Sequence, residues 1–515
     1  MFRPRIEFAR GFSKVRGPLT FNAHGGNLFR IISYAVAFLL CVLILATVRS
    51  RPIRQAALLI ASFALYLAWG AWFGAVLLAS IMMNHLLGKW LRRKPSSVIL
   101  SIGIFLNLVL LSTFKYLPDV AVHLPFSSLQ RFAHLALPLG ISFWTFQAMS
   151  YLFDVYQGDD VEPSFFEFAL YMVFFPVTIA GPICRMSDML PQFRSDNVTG
   201  SNDIARGCQR IATGVLMMQL AKLLGQGILG GDGVASGFDR VVSWSGPDVW
   251  CLAFGYGLQL FFDFAGYSHI AIGAARALGF TIPENFARPF VSTSPPIFWT
   301  RWHMSLSFWI RDYVFFPLMR LRREAWWRNL SLLIAMVLFG LWHRASILFL
   351  LWGAYHGLLL LLHRQIEGLE RTFDWTPPTI PWNALSWVST ISLVNLGWIF
   401  FRANSLHQAR EMLAAVFSPA TYRVHVVTGS LYWLVLALGV GYAIVLFTID
   451  RLSHHSTDRA DAQVEPSASP TGPMALLARW RWFWLPPLYA LTLLFVLIVT
   501  LSRGTSTAQL MYSNF

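Results

Sequence analysis

Three histidines, a cluster of arginines and one aspartate stand between Phe298 and Gly357, in a stretch that is otherwise apolar. Imidazole titrates near neutral pH, and when held neutral by apolar surroundings it is a competent general base. The chemistry it could do here is to take the proton of a hydroxyl as that oxygen attacks an ester or thioester carbonyl. The first half of the stretch, RWHMSLSFWIRDY (Arg301 to Tyr313), spaces His303, Ser307 and Arg311 at i, i+4 and i+8, which predicts one shared helix face. Arg301 and Arg311 are candidate anion contacts, and Asp312 is a candidate for orienting or polarising, together with His303. The second half, GLWHRASILFLLWGAYHG (Gly340 to Gly357), carries His343 and His356. On a continuous helix those two lie about 20 Å apart along the axis and face different ways, so one reacting atom can use both only if the helix breaks. His303 and His343, on successive segments joined by a basic loop, can converge. No Ser or Cys occupies a strand-turn-helix setting, which favours direct transfer assisted by histidine over a covalent acyl-enzyme.

A second polar constellation lies upstream in YGLQLFFDFAGYSHIAIGAARALGF, where Gln259, Asp263 and Tyr267 recur every four residues and Ser268 and His269 follow. The glycines of residues 225–237 lack a phosphate-loop pattern and read as a flexible connection. The four cysteines show no CxxC or Cys/His spacing, so they read as packed thiols, and no metal site or bound cofactor is expected.

These groups must be positioned by membrane helices. Hydrophobic residues make up 56% of the 515 residues and charged ones 13%, with a mean hydropathy of +0.54. An all-α polytopic membrane protein is the expected class. A net charge of +15 would point to nucleic acid in a soluble chain, but here the basic residues fall in short clusters between apolar runs. They read as loops against anionic lipid, which excludes a nucleic-acid partner.

Residues 1–27 read as a basic cytoplasmic segment, and 28–515 as a single membrane domain. Expected spans include Leu28 to Val48, two within Ala56 to Trp90 that break near Trp69 to Gly74, Val98 to Leu117, Leu137 to Tyr156, Ile211 to Leu229 and Val249 to Leu278. Later ones are Trp387 to Phe401, Leu431 to Ile449 and Leu485 to Leu501, the last preceded by the interfacial anchor RWRWFW. The cluster Lys89, Arg92, Arg93, Lys94 and the loop Arg320 to Arg328 read as cytoplasmic. Pro176, Gly181 and Pro182 interrupt the run Phe165 to Ile183, and broken backbone at membrane depth has to be buried in protein or line a cavity, as in a re-entrant segment. Asn404 to Phe417 reads as a short amphipathic helix, and 454–473 as a flexible loop. Roughly eleven to thirteen embedded helices are expected in all.

The chain also resembles the membrane-bound O-acyltransferase family, in the bacterial branch that includes the alginate O-acetylation membrane subunit and the membrane protein of teichoic-acid D-alanylation. The resemblance rests on ordered pieces: NLVLLSTFKY (Asn107 to Tyr116), LPLGISFWTFQAMSYLFDVY (Leu137 to Tyr156), IAGPICR (Ile179 to Arg185), FFDFAGYS (Phe261 to Ser268), LGFTIPENFARPF (Leu278 to Phe290), FWTRWHMSLSFWIRDYVFFPL (Phe298 to Leu318), GLWHRAS (Gly340 to Ser346), WGAYHG (Trp352 to Gly357) and GWIFFRANS (Gly397 to Ser405). It implies a ring of helices around a funnel or tunnel, an acyl donor taken from the cytoplasm, and an acceptor on the outer side of a bacterial inner membrane. The family's essential histidine maps to His343, the histidine of its RWHxSLS motif to His303, and a third recurring histidine to His356. Acetyl-CoA is the expected donor. The expected acceptor is an extracytoplasmic polysaccharide or a periplasmic acyltransferase partner, with membrane lipid around the ring. Two positions depart from the family pattern: Arg344 stands where glycine is common, and His269 where aspartate is common. A transporter or flippase with an intramembrane His/Asp relay is the alternative, and its usual sign, paired interruptions in two halves, is absent from the sequence.

Overall fold

The computed structural model describes residues 25–457 except 123–129, 197, 229–231, 241–242, 374–378 and 424. Among the described residues the chain is helices and turns, with no strand. The principal helices are α1 (Gly25–Thr47), α2 (Arg51–Leu67), α3 (Ala71–Arg93), α4 (Ser97–Lys115), α5 (Ile141–Gln157), α6 (Phe165–Val173), α7 (Met186–Arg194), α8 (Ser201–Gln226), α9 (Gly246–Ala277), α10 (Met304–Ile310), α11 (Ala325–His343), α12 (Ile347–Thr372), α13 (Thr379–Arg402), α14 (Leu406–Phe417) and α15 (Gly429–Thr457). Seven of the described helices are long and apolar enough to cross a membrane: α3, α4, α9, α11, α12, α13 and the Gly429–Thr448 part of α15.

That is fewer than the eleven to thirteen embedded helices expected. Both α2 and α5 have 17 residues and α6 has nine, short of the roughly 20 that a full crossing takes. The span expected at Ile211 to Leu229 is part of α8, which begins ten residues earlier and carries Asp203, Arg206, Arg210 and Lys222. The expected span Leu485 to Leu501 and the RWRWFW anchor lie outside the described residues. Of the flexible loop expected at 454–473, residues 454–457 are instead the last turn of α15, which runs to Thr457; 458–473 lie outside the described residues.

Helix α9 is the axis of the fold. Nine-tenths of its most apolar window is buried inside the protein (89%), and it pairs antiparallel with α8 through glycines spaced by seven. A Cβ at Gly266 would lie 2.8 Å from the Gly214 carbonyl oxygen, and one at Gly273 would lie 2.7 Å from that of Gly207. Small residues at such a seam let two backbones touch, which is how membrane helices gain packing energy where lipid offers no hydrophobic drive. The polar ridge predicted on α9 does form. Gln259 and Asp263 are buried, and the Gln259 amide packs against Gly225 of α8. Another buried polar pair closes α3 against α4, where Asn84 and Asn107 exchange amide hydrogen bonds of 3.2 and 2.7 Å.

The interruption after α6 is as expected. Phe174, Val177 and Ala180 are buried, so much of the irregular backbone of 174–185 is packed in protein, as such a segment must be at membrane depth. Basic residues from the ends of three helices, α2, α3 and α7, gather at one end of the bundle. Arg51 donates to the Arg194 carbonyl (3.1 Å), Arg194 pairs with Glu167 (2.8 Å), and Arg92 donates to the Val161 carbonyl (2.6 Å). Tyr34 of α1 bonds the Leu65 carbonyl at the far end of α2, so Gly25, where the chain enters α1, lies away from the basic end. Residues 1–24, most of the basic segment 1–27, lie outside the described residues.

Candidate active site

The helix predicted through Arg301 to Tyr313 is broken at both ends, and this corrects the shared face assigned to His303, Ser307 and Arg311. Helix α10 starts only at Met304. His303 precedes it in the left-handed region, at φ 42° and ψ 53°, and Arg311–Phe315 form one wide π-type turn. His303 is therefore buried, whereas Arg311 is exposed. The Ser307 hydroxyl donates to the Trp302 carbonyl (3.0 Å) and serves the turn instead of the site.

The chain does break between His343 and His356. Helix α11 ends at His343, and Arg344 is already extended, at φ −156° and ψ 135°. The chain then reverses into α12, bringing Trp352 back over His343. His343 sits in an aromatic cage: Phe339 stacks on it at 5.5 Å, and Trp342, Phe401 and Trp352 lie 4.6, 5.0 and 5.5 Å away between ring centroids. His303 meets the edge of Phe264 of α9 at 4.6 Å. The two imidazoles line one cavity of about 10 Å³, together with Leu260, Phe264, Trp302, Phe339, Trp352, Trp398 and Phe401. That volume is about the smallest that admits one water. The convergence expected of His303 and His343 is thus what the fold produces. A larger cavity of about 270 Å³, between α1, α2, α7 and the end of α9, contains none of the sequence-predicted site residues.

The profile of the membrane-bound O-acyltransferase family matches residues 100–401, which span α4 to α13 and include every residue of the cavity. The chain belongs to that family. It is similar to the probable alginate O-acetylase of Pseudomonas putida, 35% identical over 380 residues, 71% of this chain and 75% of the relative. It is also similar to the peptidoglycan O-acetyltransferase of Helicobacter pylori, 32% identical over 393 residues, 69% and 72% of the two chains. The teichoic acid D-alanyltransferase of Bacillus subtilis is 35% identical over 161 residues, 30% of this chain and 41% of the relative. An acyltransferase in a multi-pass membrane fold is what the family and these relatives support, and the transporter alternative gives way to it.

In this acyltransferase the remaining predicted residues fall into separate places. Asp312 accepts from Arg185 (2.8 Å) and from Arg311 (2.7 Å), so its charge is spent at the end of the bundle where Tyr313 also bonds Asp154 (2.6 Å). The α9 face that reaches the cavity is Leu260 and Phe264. Asp263, one residue round from Phe264, is turned from it by about 100°, on the ridge with Gln259 and Tyr267. Arg301 is half-buried and uses its carbonyl to receive the Ala287 N–H (3.0 Å). His356 is fully buried behind Trp352, at 5.0 Å from that ring and 5.1 Å from Trp299. Arg344 is exposed beside the end of α11. His269 is half-buried on α9. Among the described residues no group of three or more His, Cys, Asp or Glu lies together as a metal site would require.

Three residues near the two histidines were not singled out from the sequence. Tyr116, at the end of α4, donates its hydroxyl to the carbonyls of Leu341 and Trp342 (3.3 and 3.1 Å), groups that a helix end leaves without intrahelical partners. The ammonium of Lys115 lies 4.6 Å over the Trp342 ring. Asn285 is buried next to His303 and bonded to Ser305 and Ser268. The available signal for Lys115 and Tyr116 was a charged and a hydroxylated residue adjacent at the end of an apolar run, a pattern equally suited to an interfacial anchor.

Proposed function

We propose that this membrane acyltransferase O-acetylates an extracytoplasmic polysaccharide with acetyl from acetyl-CoA, at the inner membrane of a bacterium. The observation that carries the reading is the convergence of His303 and His343 on one small cavity within the segment matched by the family. The His343 imidazole takes the proton of an acceptor hydroxyl as its oxygen bonds to the thioester carbonyl carbon. The tetrahedral intermediate then expels the thiolate, which leaves with the proton returned by the imidazolium. His303, across the cavity, orients the acceptor or polarises the carbonyl. Since the cavity admits little more than one water, an aromatic wall must move to seat the acetyl group.

In this reading the end that carries Arg51, Arg92 and Arg194 is cytoplasmic by the excess of basic residues. The exposed Arg344 then lies toward the acceptor and contacts an anionic group of it. A periplasmic acyltransferase that receives the acetyl group and completes delivery is the expected partner, and the names of the two acetylating relatives support an extracytoplasmic glycan as the final acceptor.

The test is transfer of radiolabelled acetyl from acetyl-CoA in membranes that contain the intact protein or His343→Ala at matched levels. Label on polysaccharide or on a partner protein with the intact protein alone is the expected result. Equal labelling by both would remove His343 as the base, and no labelling by either would remove acetyl-CoA as the donor under those conditions.

A further inference from the structure

His303 is one of two non-glycine residues with positive φ among the described residues. In that region the Cβ crowds the following carbonyl, so a side-chain-bearing residue stays there only where its surroundings impose it. The surroundings are the loop after α9. Two backbone hydrogen bonds bracket the histidine: Ala287 N–H donates to the Arg301 carbonyl (3.0 Å), and Met304 N–H donates to the Asn285 carbonyl (2.9 Å).

The Asn285 side chain completes the clamp. It has no exposed surface. Its Oδ1 accepts from the Ser305 hydroxyl (2.6 Å) and the Ser305 N–H (3.4 Å), and its Nδ2 donates to the Ser268 hydroxyl of α9 (3.1 Å). Ser305 Oγ in turn accepts from the N–H of Ile183, in the broken segment after α6 (3.0 Å). Three separate parts of the chain are thus tied together two residues from His303 by one amide whose donor and acceptor ends are both used. Asn285 does not line the cavity. A group in that place acts on the reaction only through what it holds.

We infer that Asn285 is a positioning residue of the acyl transfer, fixing the backbone that aims His303 into the cavity it shares with His343. The inference rests on the reading of His303 as a participant in the chemistry. Aspartate at 285 keeps the acceptor for Ser305 and loses the donor to Ser268; leucine, of similar size, loses both.

The test pairs kinetics with a direct view of the ring. Acetyl transfer is measured in membranes for the intact protein, Asn285→Asp, Asn285→Leu and His303→Gln. In parallel, protein labelled with ¹³C-histidine is observed in detergent by NMR, the resonance lost in His303→Gln identifying that ring. For Asn285→Leu the expected result is a fall in kcat of about ten- to hundredfold, the loss that follows a displacement of about 1 Å at a reacting group, with KM for acetyl-CoA unchanged. Asn285→Asp falls between. The His303 resonance shifts, while those of His363 and His407, remote on α12 and α14, stay in place. A fixed His303 resonance, or a change in KM alone, overturns the inference. If Asn285→Leu moves every histidine resonance, the fold has been lost, and Ser305→Ala, which removes the hydroxyl end of the clamp, is expected to show the selective shift instead; a fixed His303 resonance there overturns the inference equally. A wild-type rate in His303→Gln would instead sink the part given to His303 in the chemistry, leaving Asn285 a structural clamp.

Discussion

Trp352 stands between His343 and His356, with ring centroids 5.5 Å from the first and 5.0 Å from the second. Of these two, His343 alone reaches the cavity, and neither ring nitrogen of His356 has a hydrogen-bond partner among the described residues. The two substitutions should therefore separate. His343→Ala is expected to lower acyl transfer by about 10²–10⁴, the usual worth of a general base. His356→Ala should keep kcat within about tenfold and act on stability, as core truncations costing about 2–5 kcal/mol do. Initial rates and thermal melts of both purified variants check the division.

The return of the chain from His343 to Trp352 depends on backbone contact. A Cβ at Gly353 would lie 2.3 Å from the Met336 carbonyl oxygen, and one at Gly340 would lie 2.2 Å from that of Phe349. Neither oxygen belongs to a side chain that can turn aside. Gly353→Ala should force α11 and α12 apart, cost about 1–3 kcal/mol as overpacking does, and reduce activity and folded yield together. Size-exclusion profiles beside activity distinguish this from His343→Ala, which should leave the profile intact.

Tyr116 crosses from α4 to the last turn before His343, and Tyr116→Phe deletes only the hydroxyl. Loss of such a bond costs about 0.5–1.5 kcal/mol. The expected outcome is a small drop in melting temperature with a larger proportional drop in kcat, KM for acetyl-CoA being unchanged. An unaltered kcat would mean that the turn holds His343 without Tyr116.

At the basic end of the bundle, Ser164 and Glu167 cap α6 reciprocally. Hydrogen bonds from Arg194 hold the Glu167 carboxyl down to about 2. A carboxylate with a depressed native value stabilises the fold above its unfolded value, about 4.3, and that contribution fades as pH falls toward 2. Intact protein and Glu167→Gln should differ in melting temperature at pH 7, and the gap should narrow steadily below about pH 4.3. A gap independent of pH would assign the effect to packing.

Much of this was legible in residue order because long apolar runs and family-like motifs are local. α3 and α4 fall within a few residues of the expected spans, and α14 is the amphipathic helix predicted from Asn404. The i, i+4, i+8 face of His303 failed for a definite reason. Periodicity assumes unbroken helix, and nothing in TRWHMS announces a left-handed histidine that is imposed by a loop 16 residues earlier. The turn after His343 was equally hidden, since HRAS contains neither glycine nor proline. Asn285 looked like a loop residue, because asparagine after proline and glutamate ordinarily faces water, and only the fold brings Ser268 and Ser305 to it. The seven-residue glycine spacing of α8 and α9 was present to be read, yet its meaning lies in the pairing of two segments, which periodicity within one segment does not report.

That seam also bears on how the protein is made. Four charged residues make α8 costly to place in hydrocarbon by itself, and α9 hides a carboxylate, Asp263, on the side it turns to α8. Each covers what the other cannot expose, so the two should leave the translocon as a hairpin, α8 waiting at the protein–lipid boundary until α9 emerges. Biogenesis would then have a checkpoint well before His303 and His343 are translated. A nascent chain halted between the two helices should be handed to quality control, and one halted after Ala277 should already be resistant to extraction from the membrane.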